Sequence, residues 1–395
     1  MNSRYGSTST TPQRPQPAAN GHADAGDVAR TKLLLMGLRR CGKTSIQQVL
    51  FNGLPPKQTL YLERSARVAK HIYDTVIPLE IWDCPGDATL ESIEAPLNQF
   101  ATLIYVIDIQ SMLHPSIERL LNIVVTVYQE SQATNFVPNL EVFVHKADTM
   151  SEDYRLEMFR NIQSRILDEL ADLNQEYEQI PINFQLTSIH DHSLHDSFSR
   201  VLHKSIEALP YLEDLLNVFT ANSQASKAFL FDIKSRLYVA TDASPVDPPT
   251  HNLCSDYLLM LNSFGPLYRS ATASPARHQP PSPPHSQTSP SSHAHSPATS
   301  APTSPRAAPH GSPPGRPSKA LFYPSASTAL APSAAGAGVG MTITYHLITR
   351  HLALLAVLPT AVHEERRGLV EYNVVFLREG VQEICEVEEE ARGGG

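Results

Sequence analysis

Apolar and polar positions alternate along the chain in a way that marks two ordered stretches. In the first, about 29–210, short near-continuous apolar runs alternate with amphipathic segments. Lys32–Met36 reads as a buried strand, followed by a glycine-containing loop and a helix that opens at Lys43. Val76–Trp82, Leu103–Asp108, Glu141–Val144 and Ile182–Leu186 read as further strands, and Glu152–Leu173 and Ser193–Leu209 as helices. Strands this uniformly apolar are buried on both faces, and strand–helix alternation joins them in parallel. The predicted fold is α/β: a mainly parallel sheet with helices on both faces, which binds ligands beyond the carboxyl ends of its strands.

The second ordered stretch is interrupted. Lys227–Thr241 reads as a hairpin and Asn252–Phe264 as an amphipathic helix. Thr342–Leu347 and Leu352–Val357 read as strands, and Gly368–Glu386 as a helix with Leu369, Tyr372, Phe376 and Ile384 on one face. This β-β-α-β-β-α order predicts a small α/β domain over 211–395. Two segments have too few apolar residues to offset the entropy of ordering. One is the Ser/Thr/Pro/Gly-rich tail 1–28. The other is 269–338, with Ser-Pro steps at Ser274, Ser282, Ser289, Ser296, Ser304 and Ser312. Both are expected to be disordered, the second as an insertion in the small domain; loop-closure entropy grows only logarithmically, so such an insertion is tolerable. Its Ser-Pro steps suit either proline-directed phosphorylation or a flexible insertion with no role.

Composition narrows the function classes. A formal net charge of −9 disfavours broad nucleic-acid binding. The four cysteines, Cys41, Cys84, Cys254 and Cys385, form no CxxC pair, which fits free thiols in a reducing compartment and argues against zinc. Five histidines in the Ser/Pro segment have no metal-ligand spacing. The N-terminus lacks the apolar core of a signal peptide. Asn2 excludes myristoylation, and the C-terminus has no prenylation box. No apolar run reaches the ~20 residues that cross a bilayer. A soluble chain without direct membrane insertion is expected. Trp82 reads as strand packing, and Met150–Glu152 and Glu388–Glu390 as solvated surface. No Ser/His/Asp or Cys/His nucleophilic arrangement is identifiable.

The candidate chemistry lies at strand ends. Gly37-Leu-Arg39-Arg40-Cys41-Gly42-Lys43-Thr44-Ser45 fits GxxxxGK[ST] between a strand and a helix, the setting of a phosphate-binding loop. Its glycines turn backbone N–H groups toward phosphate oxygens, and the helix N-terminus adds a favourable dipole. Lys43 would reach the β and γ phosphates of a nucleoside triphosphate, and the Thr44 hydroxyl would ligate Mg²⁺. Arg39 and Arg40, inside the loop, either touch phosphate or are solvated. Asp83-Cys84-Pro85-Gly86 closes a strand: Asp83 would hold magnesium through water, and the Gly86 N–H would contact the γ-phosphate. Thr59, between the two motifs, would either complete the magnesium shell or stand as one threonine in a loop. His145-Lys146-Ala147-Asp148 ends another strand. There a carboxylate accepts two hydrogen bonds from the guanine ring N–H and 2-amino group, donors that adenine lacks, and the Lys146 stem packs along the base. A backbone N–H in Thr187-Ser188-Ile189 would reach the guanine carbonyl.

This order of motifs is that of a Ras-like GTPase. The runs LLLMGLRRCGKTSIQQVLF, TLYLE, IWDCPG, LIYVID, VFVHKAD and LTSIHDHS resemble the Rag GTPases, within them the C/D-type branch whose fungal members are the second Gtr subunits. His145, in place of the Asn of Ras, agrees with this branch. The resemblance continues through PYLEDLLNVFTANSQASKAFLFDIKSRLYVATDASPVD and resumes at Gly368–Val387. It implies a GTP-binding Ras-like domain over 29–210, with GTP/GDP and Mg²⁺ as cofactors, and a roadblock-type dimerisation domain over 211–395. It also implies a heterodimer with an A/B-type Rag subunit. That pair signals amino-acid sufficiency to TORC1 at the vacuolar or lysosomal surface, tethered by a Ragulator/EGO-type scaffold. One departure matters: related proteins commonly carry Gln after the DxxG glycine, where it orients the attacking water. Here the residue is Asp87, so hydrolysis is expected to be slow and to depend on a folliculin-type GAP. The following segment, Ala88–Phe100, is less similar. The competing readings are a GTP-binding scaffold that never hydrolyses and an ATP-dependent small-molecule kinase, which would have no use for HKAD.

Overall fold

The computed structural model describes residues 30–63, 65–74, 77–93, 95–264, 323–330 and 340–393. The tail 1–28 and the six Ser-Pro steps of the segment 269–338 lie outside these residues.

The first stretch builds a six-stranded sheet in the order β2-β3-β1-β4-β5-β6. Its strands are β1 (Thr31–Gly37), β2 (Ala69–Tyr73), β3 (Leu79–Asp83), β4 (Phe100–Asp108), β5 (Asn139–His145) and β6 (Ile182–Thr187). All neighbours run parallel except β2, which pairs antiparallel with β3 at one edge. The helices are α1 (Lys43–Asn52), α2 (Leu113–Thr134), α3 (Glu152–Leu173) and α4 (Ser193–His203). Central strands are buried on both faces, as their apolar runs require: Leu33 and Leu35 face one core and Leu34 and Met36 the other. Register aligns the strand ends. Leu35 pairs with Asp83, Gly37 with Val106, and Asp108 with His145, which pairs in turn with Thr187.

The second stretch builds a five-stranded antiparallel sheet, β8-β7-β11-β10-β9. It contains α5 (Leu209–Ser223), β7 (Lys227–Asp232), β8 (Tyr238–Thr241), α6 (Pro248–Phe264), β9 (Ser325–Ala329), β10 (Met341–Leu347), β11 (Leu352–Pro359), α7 (Thr360–Glu365) and α8 (Arg367–Gly393). Helix α4 joins the two sheets. Its Phe198, Val201 and Leu202 belong to one apolar cluster with Leu33 and Leu35 of β1 and Leu230 and Leu354 of the second sheet. Asp196 accepts from the Tyr238 hydroxyl at 2.7 Å, and Ser199 Oγ accepts from the Tyr238 N–H at 3.0 Å.

Several expectations shift. The helix over Ser193–Leu209 ends at His203, and a new helix, α5, opens at Leu209 with Pro210 in its first turn, where its missing N–H costs nothing. The strand over Val76–Trp82 runs Leu79–Asp83. A strand, β9, stands inside the segment 269–338 expected to be disordered; it adds to the edge of the second sheet by backbone pairing with β10. The core face of α8 is Val370, Val374, Leu377 and Val381, whereas Leu369, Tyr372 and Phe376 are exposed. Trp82 packs edge-on against Phe100, as expected of strand packing, with Lys70 Nζ 3.8 Å over its ring.

Candidate nucleotide site

A cavity of about 1150 Å³ lies beyond the carboxyl ends of β1, β3, β5 and β6. Arg39, Arg40, Gly42, Lys43, Thr44, Ser45, Thr59, Gly86, His145, Lys146, Asp148 and Ile189 all line it. Its volume suits a nucleotide-sized ligand.

The phosphate loop is possible only with glycine at its two corners. Gly37 has φ +142°, and a Cβ there would stand 2.4 Å from the Val106 carbonyl oxygen of β4. Gly42 has φ +106°, and a Cβ would stand 2.7 Å from His145 Cδ2. No side chain caps α1, so its first backbone N–H groups serve the loop. Lys43 Nζ donates to the carbonyls of Gly37 and Leu38, both at 2.9 Å. Cys41 is buried behind the loop, and burial pushes its thiol up.

Three oxygen-bearing side chains meet at one edge of the cavity. Thr44 Oγ1 donates to Asp83 Oδ2 at 2.6 Å, and Ser65 Oγ donates to the same oxygen at 3.0 Å. Thr44 and Ser65 are 3.2 Å apart. Asp83 is 1% exposed, and its Oδ1 has no hydrogen-bond partner among the described residues. A buried carboxylate with a spare oxygen beside two hydroxyls is a hard-oxygen set of the kind that suits Mg²⁺ completed by phosphate and water. Thr59 does not join it. That residue sits on a 3₁₀ turn, Pro56–Tyr61, where its hydroxyl donates to the Pro56 carbonyl at 2.7 Å. The hydroxyl beside Thr44 and Asp83 is Ser65, further along the same segment.

The other end of the cavity is built by β5 and β6. Asp148 Oδ1 accepts from the Ser188 hydroxyl, which fixes the carboxylate. Ser188 is buried, and its N–H donates to Ser193 Oγ at 3.0 Å. The backbone N–H of Ser188 is therefore engaged and its hydroxyl holds Asp148, while Ile189 lines the cavity. Lys146, at φ +65°, donates to the Arg40 carbonyl at 2.8 Å and to Asp108 Oδ2 at 2.6 Å, so it straps the base end of the site to the phosphate loop. His145 Nδ1 is 2.9 Å from Thr187 Oγ1.

Burial holds the His145 imidazole well below its usual range, at about 4. A histidine buried neutral binds fewer protons folded than unfolded. Its contribution is fully present above about pH 6.5 and is lost as pH falls toward about 4. The expected cost across that window is on the order of 3 kcal/mol. Denaturant unfolding at pH 7, 5.5 and 4.5 checks this: stability should drop steadily, and less steeply in His145→Asn.

Gly86 packs on the phosphate loop so closely that a Cβ would lie 2.5 Å from the Arg39 nitrogen. Asp87 forms an ion pair with Arg39 at 2.9 Å. Arg119 of α2 donates to the carbonyls of Gly86 and Ala88. Motif reading misses Ser65, which lines the cavity, and Asp108 and Arg119, which lie outside its lining and hold Lys146 and the Gly86 and Ala88 carbonyls. Ser65 alone had a visible signal, as a second hydroxyl before β2.

A phosphate loop, a carboxylate–hydroxyl cluster at the next strand end and a fixed aspartate at the base end define the nucleotide-binding class of Ras-like G proteins. The model of the Gtr1/RagA G protein conserved region matches residues 32–258, and the chain belongs to this Gtr/Rag family. It is 41% identical over 256 residues to GTP-binding protein gtr2 of Schizosaccharomyces pombe, covering 63% of this chain and 79% of that one. Human Ras-related GTP-binding protein C is 41% identical over 249 residues, covering 61% of each chain. GTP-binding protein gtr1 of Schizosaccharomyces pombe is only 27% identical over 231 residues, covering 56% of this chain and 71% of that one. The gap between 41% and 27% places the chain on the Gtr2, or C/D-type, branch.

Proposed function

We propose that this chain is the C/D-type subunit of a heterodimeric guanine-nucleotide switch that reports amino-acid sufficiency to TORC1. The observation that carries the reading is the convergence of Lys43, the Thr44–Asp83–Ser65 cluster and Asp148 on one cavity. Lys43 would exchange its two loop carbonyls for β and γ phosphate oxygens. Asp148, held by Ser188, would accept from the guanine ring N–H and 2-amino group, which selects against adenine. Thr44, Ser65 and Asp83 would hold Mg²⁺, which when bound neutralises charge developing on the phosphates. Ser65 and Gly86 report the third phosphate, and its loss frees the segments that carry them.

Hydrolysis by this chain is slow and depends on a folliculin-type GAP. Asp87 stands where a glutamine would orient water, and Arg39 holds its carboxyl below the usual range, so it stays anionic beside the γ-phosphate. Single-turnover hydrolysis by the purified heterodimer should run below about 10⁻³ per second alone and rise at least about 10³-fold with the GAP. Rapid unaided turnover would contradict this. No turnover under either condition would favour the second reading, a GTP-binding scaffold, which Asp87 keeps open.

Residues 211–395 serve as the roadblock-type dimerisation domain for an A/B-type subunit. Support comes from its antiparallel sheet and from exposed apolar residues on its helices, Tyr211 on α5 and Leu369, Tyr372 and Phe376 on α8. Among the described residues no helix is long and apolar enough to cross a membrane. Placement at the vacuolar or lysosomal membrane is accordingly assigned to a Ragulator/EGO-type scaffold.

A further inference from the structure

Arg39 lies within the phosphate loop yet directs its guanidinium at Asp87, with Nη2 2.9 Å from Oδ2. Both side chains are about two-thirds exposed, at 69% and 67%, and both line the cavity at its third-phosphate end together with Gly86. The backbone between them leaves no slack, since Gly86 packs directly on the Arg39 main chain. On the opposite side Arg119 grips the carbonyls of Gly86 and Ala88 from α2. The tripeptide Gly86-Asp87-Ala88 is thus held between two arginines of different character. Arg119 binds main-chain oxygens and does not line the cavity. Arg39 binds a carboxylate through a donor fork that fits a phosphoryl group equally well.

An exposed carboxylate pair is a weak competitor for that fork. A terminal phosphoryl group brings more charge and three oxygens to the same place. We propose that Arg39 is a state-sensing residue: its guanidinium bonds Asp87 when the third phosphate is absent and transfers to γ-phosphate oxygens when it is present. This rests on the guanine-nucleotide reading above and extends it. Once released, Asp87 faces an anion with only Arg119, which is engaged on the neighbouring carbonyls, as a counter-charge, and is driven outward. The nucleotide state is thereby converted into the position of one acidic side chain on the rim of the site. The acid that replaces glutamine at this place has a role that a neutral residue could not fill.

The test uses the full chain in its heterodimer, with Mg²⁺, and measures dissociation constants for GDP and for a non-hydrolysable GTP analogue. In Arg39→Ala, affinity for the analogue should fall about five-fold or more, with GDP affinity held within about two-fold. Arg39→Lys should recover part of the loss. Asp87→Asn should raise affinity for the analogue by about five-fold, again with little change for GDP. An unchanged analogue-to-GDP ratio in Arg39→Ala would overturn the exchange. Parallel weakening of both nucleotides would also overturn it, as that marks a merely structural pair. Failure of the unaltered protein to bind either guanine nucleotide would instead sink the reading beneath it.

Discussion

Asp148→Asn is expected to weaken GTP binding by about 10³-fold and to transfer preference to xanthosine triphosphate. The carboxylate would accept two hydrogen bonds from guanine, and each bond to a charged group contributes about 1.5–3 kcal/mol. The asparagine amide keeps one acceptor but opposes an N–H to the guanine 2-amino group, leaving two donors face to face. Xanthine carries a carbonyl at that position and restores the pairing. The geometry supports a clean exchange, because Asp148 is fixed by Ser188 Oγ rather than by a charge partner, and an amide oxygen can accept the same bond. Competition of GTP and xanthosine triphosphate against a fluorescent guanine nucleotide measures it. An unchanged GTP affinity would show that Asp148 does not face the base.

The second large effect is expected at Lys43. Lys43→Ala should reduce triphosphate affinity by about 100-fold or more, since two charge-assisted contacts to phosphate are lost. Lys43 is only 7% exposed, and its ammonium already bridges Gly37 and Leu38 across the loop mouth. The substitution therefore also leaves those carbonyls without their donor. Thermal unfolding in the absence of nucleotide separates the two consequences. The unliganded protein should lose little stability, whereas the stabilisation by added GTP should nearly vanish.

Much of the site is readable in the sequence because backbone geometry fixes it. Gly37, Gly42 and Lys43 have to stand at set spacings for a loop to turn from a strand into a helix, Asp83 closes β3, and Asp148 lies three residues past the end of β5. What is not readable depends on the path of irregular chain. Thr59 and Ser65 are both hydroxyls between α1 and β2, and only the 3₁₀ turn at Pro56–Tyr61, which ties Thr59 to Pro56, leaves Ser65 to meet Asp83. Thr187-Ser188-Ile189 offers several backbone N–H groups, and only the structure shows that the hydroxyl of Ser193 at the start of α4 takes that of Ser188.

The fold shows the same division. Parallel strands announce themselves by buried apolar runs, but α8 carries two apolar stripes one residue out of phase. Periodicity cannot say whether Leu369, Tyr372 and Phe376 or Val370, Val374, Leu377 and Val381 face the sheet; packing against α5 and the sheet decides for the second set. Helix α2 escapes assignment because Asn122-Ile-Val-Val-Thr-Val-Tyr128 is rich in β-branched residues that suit a strand equally well. Strand β9, Ser-Ala-Ser-Thr-Ala, has no apolar signature, since it is held at an edge by main-chain bonds.

Direct competition between GTP and ATP tests whether this cavity is built for a guanine nucleotide. With the purified protein and Mg²⁺, ATP should displace bound GTP only at an excess of about 10³-fold or more. Displacement at equal concentrations, or a preference for ATP, would contradict a guanine-selective site.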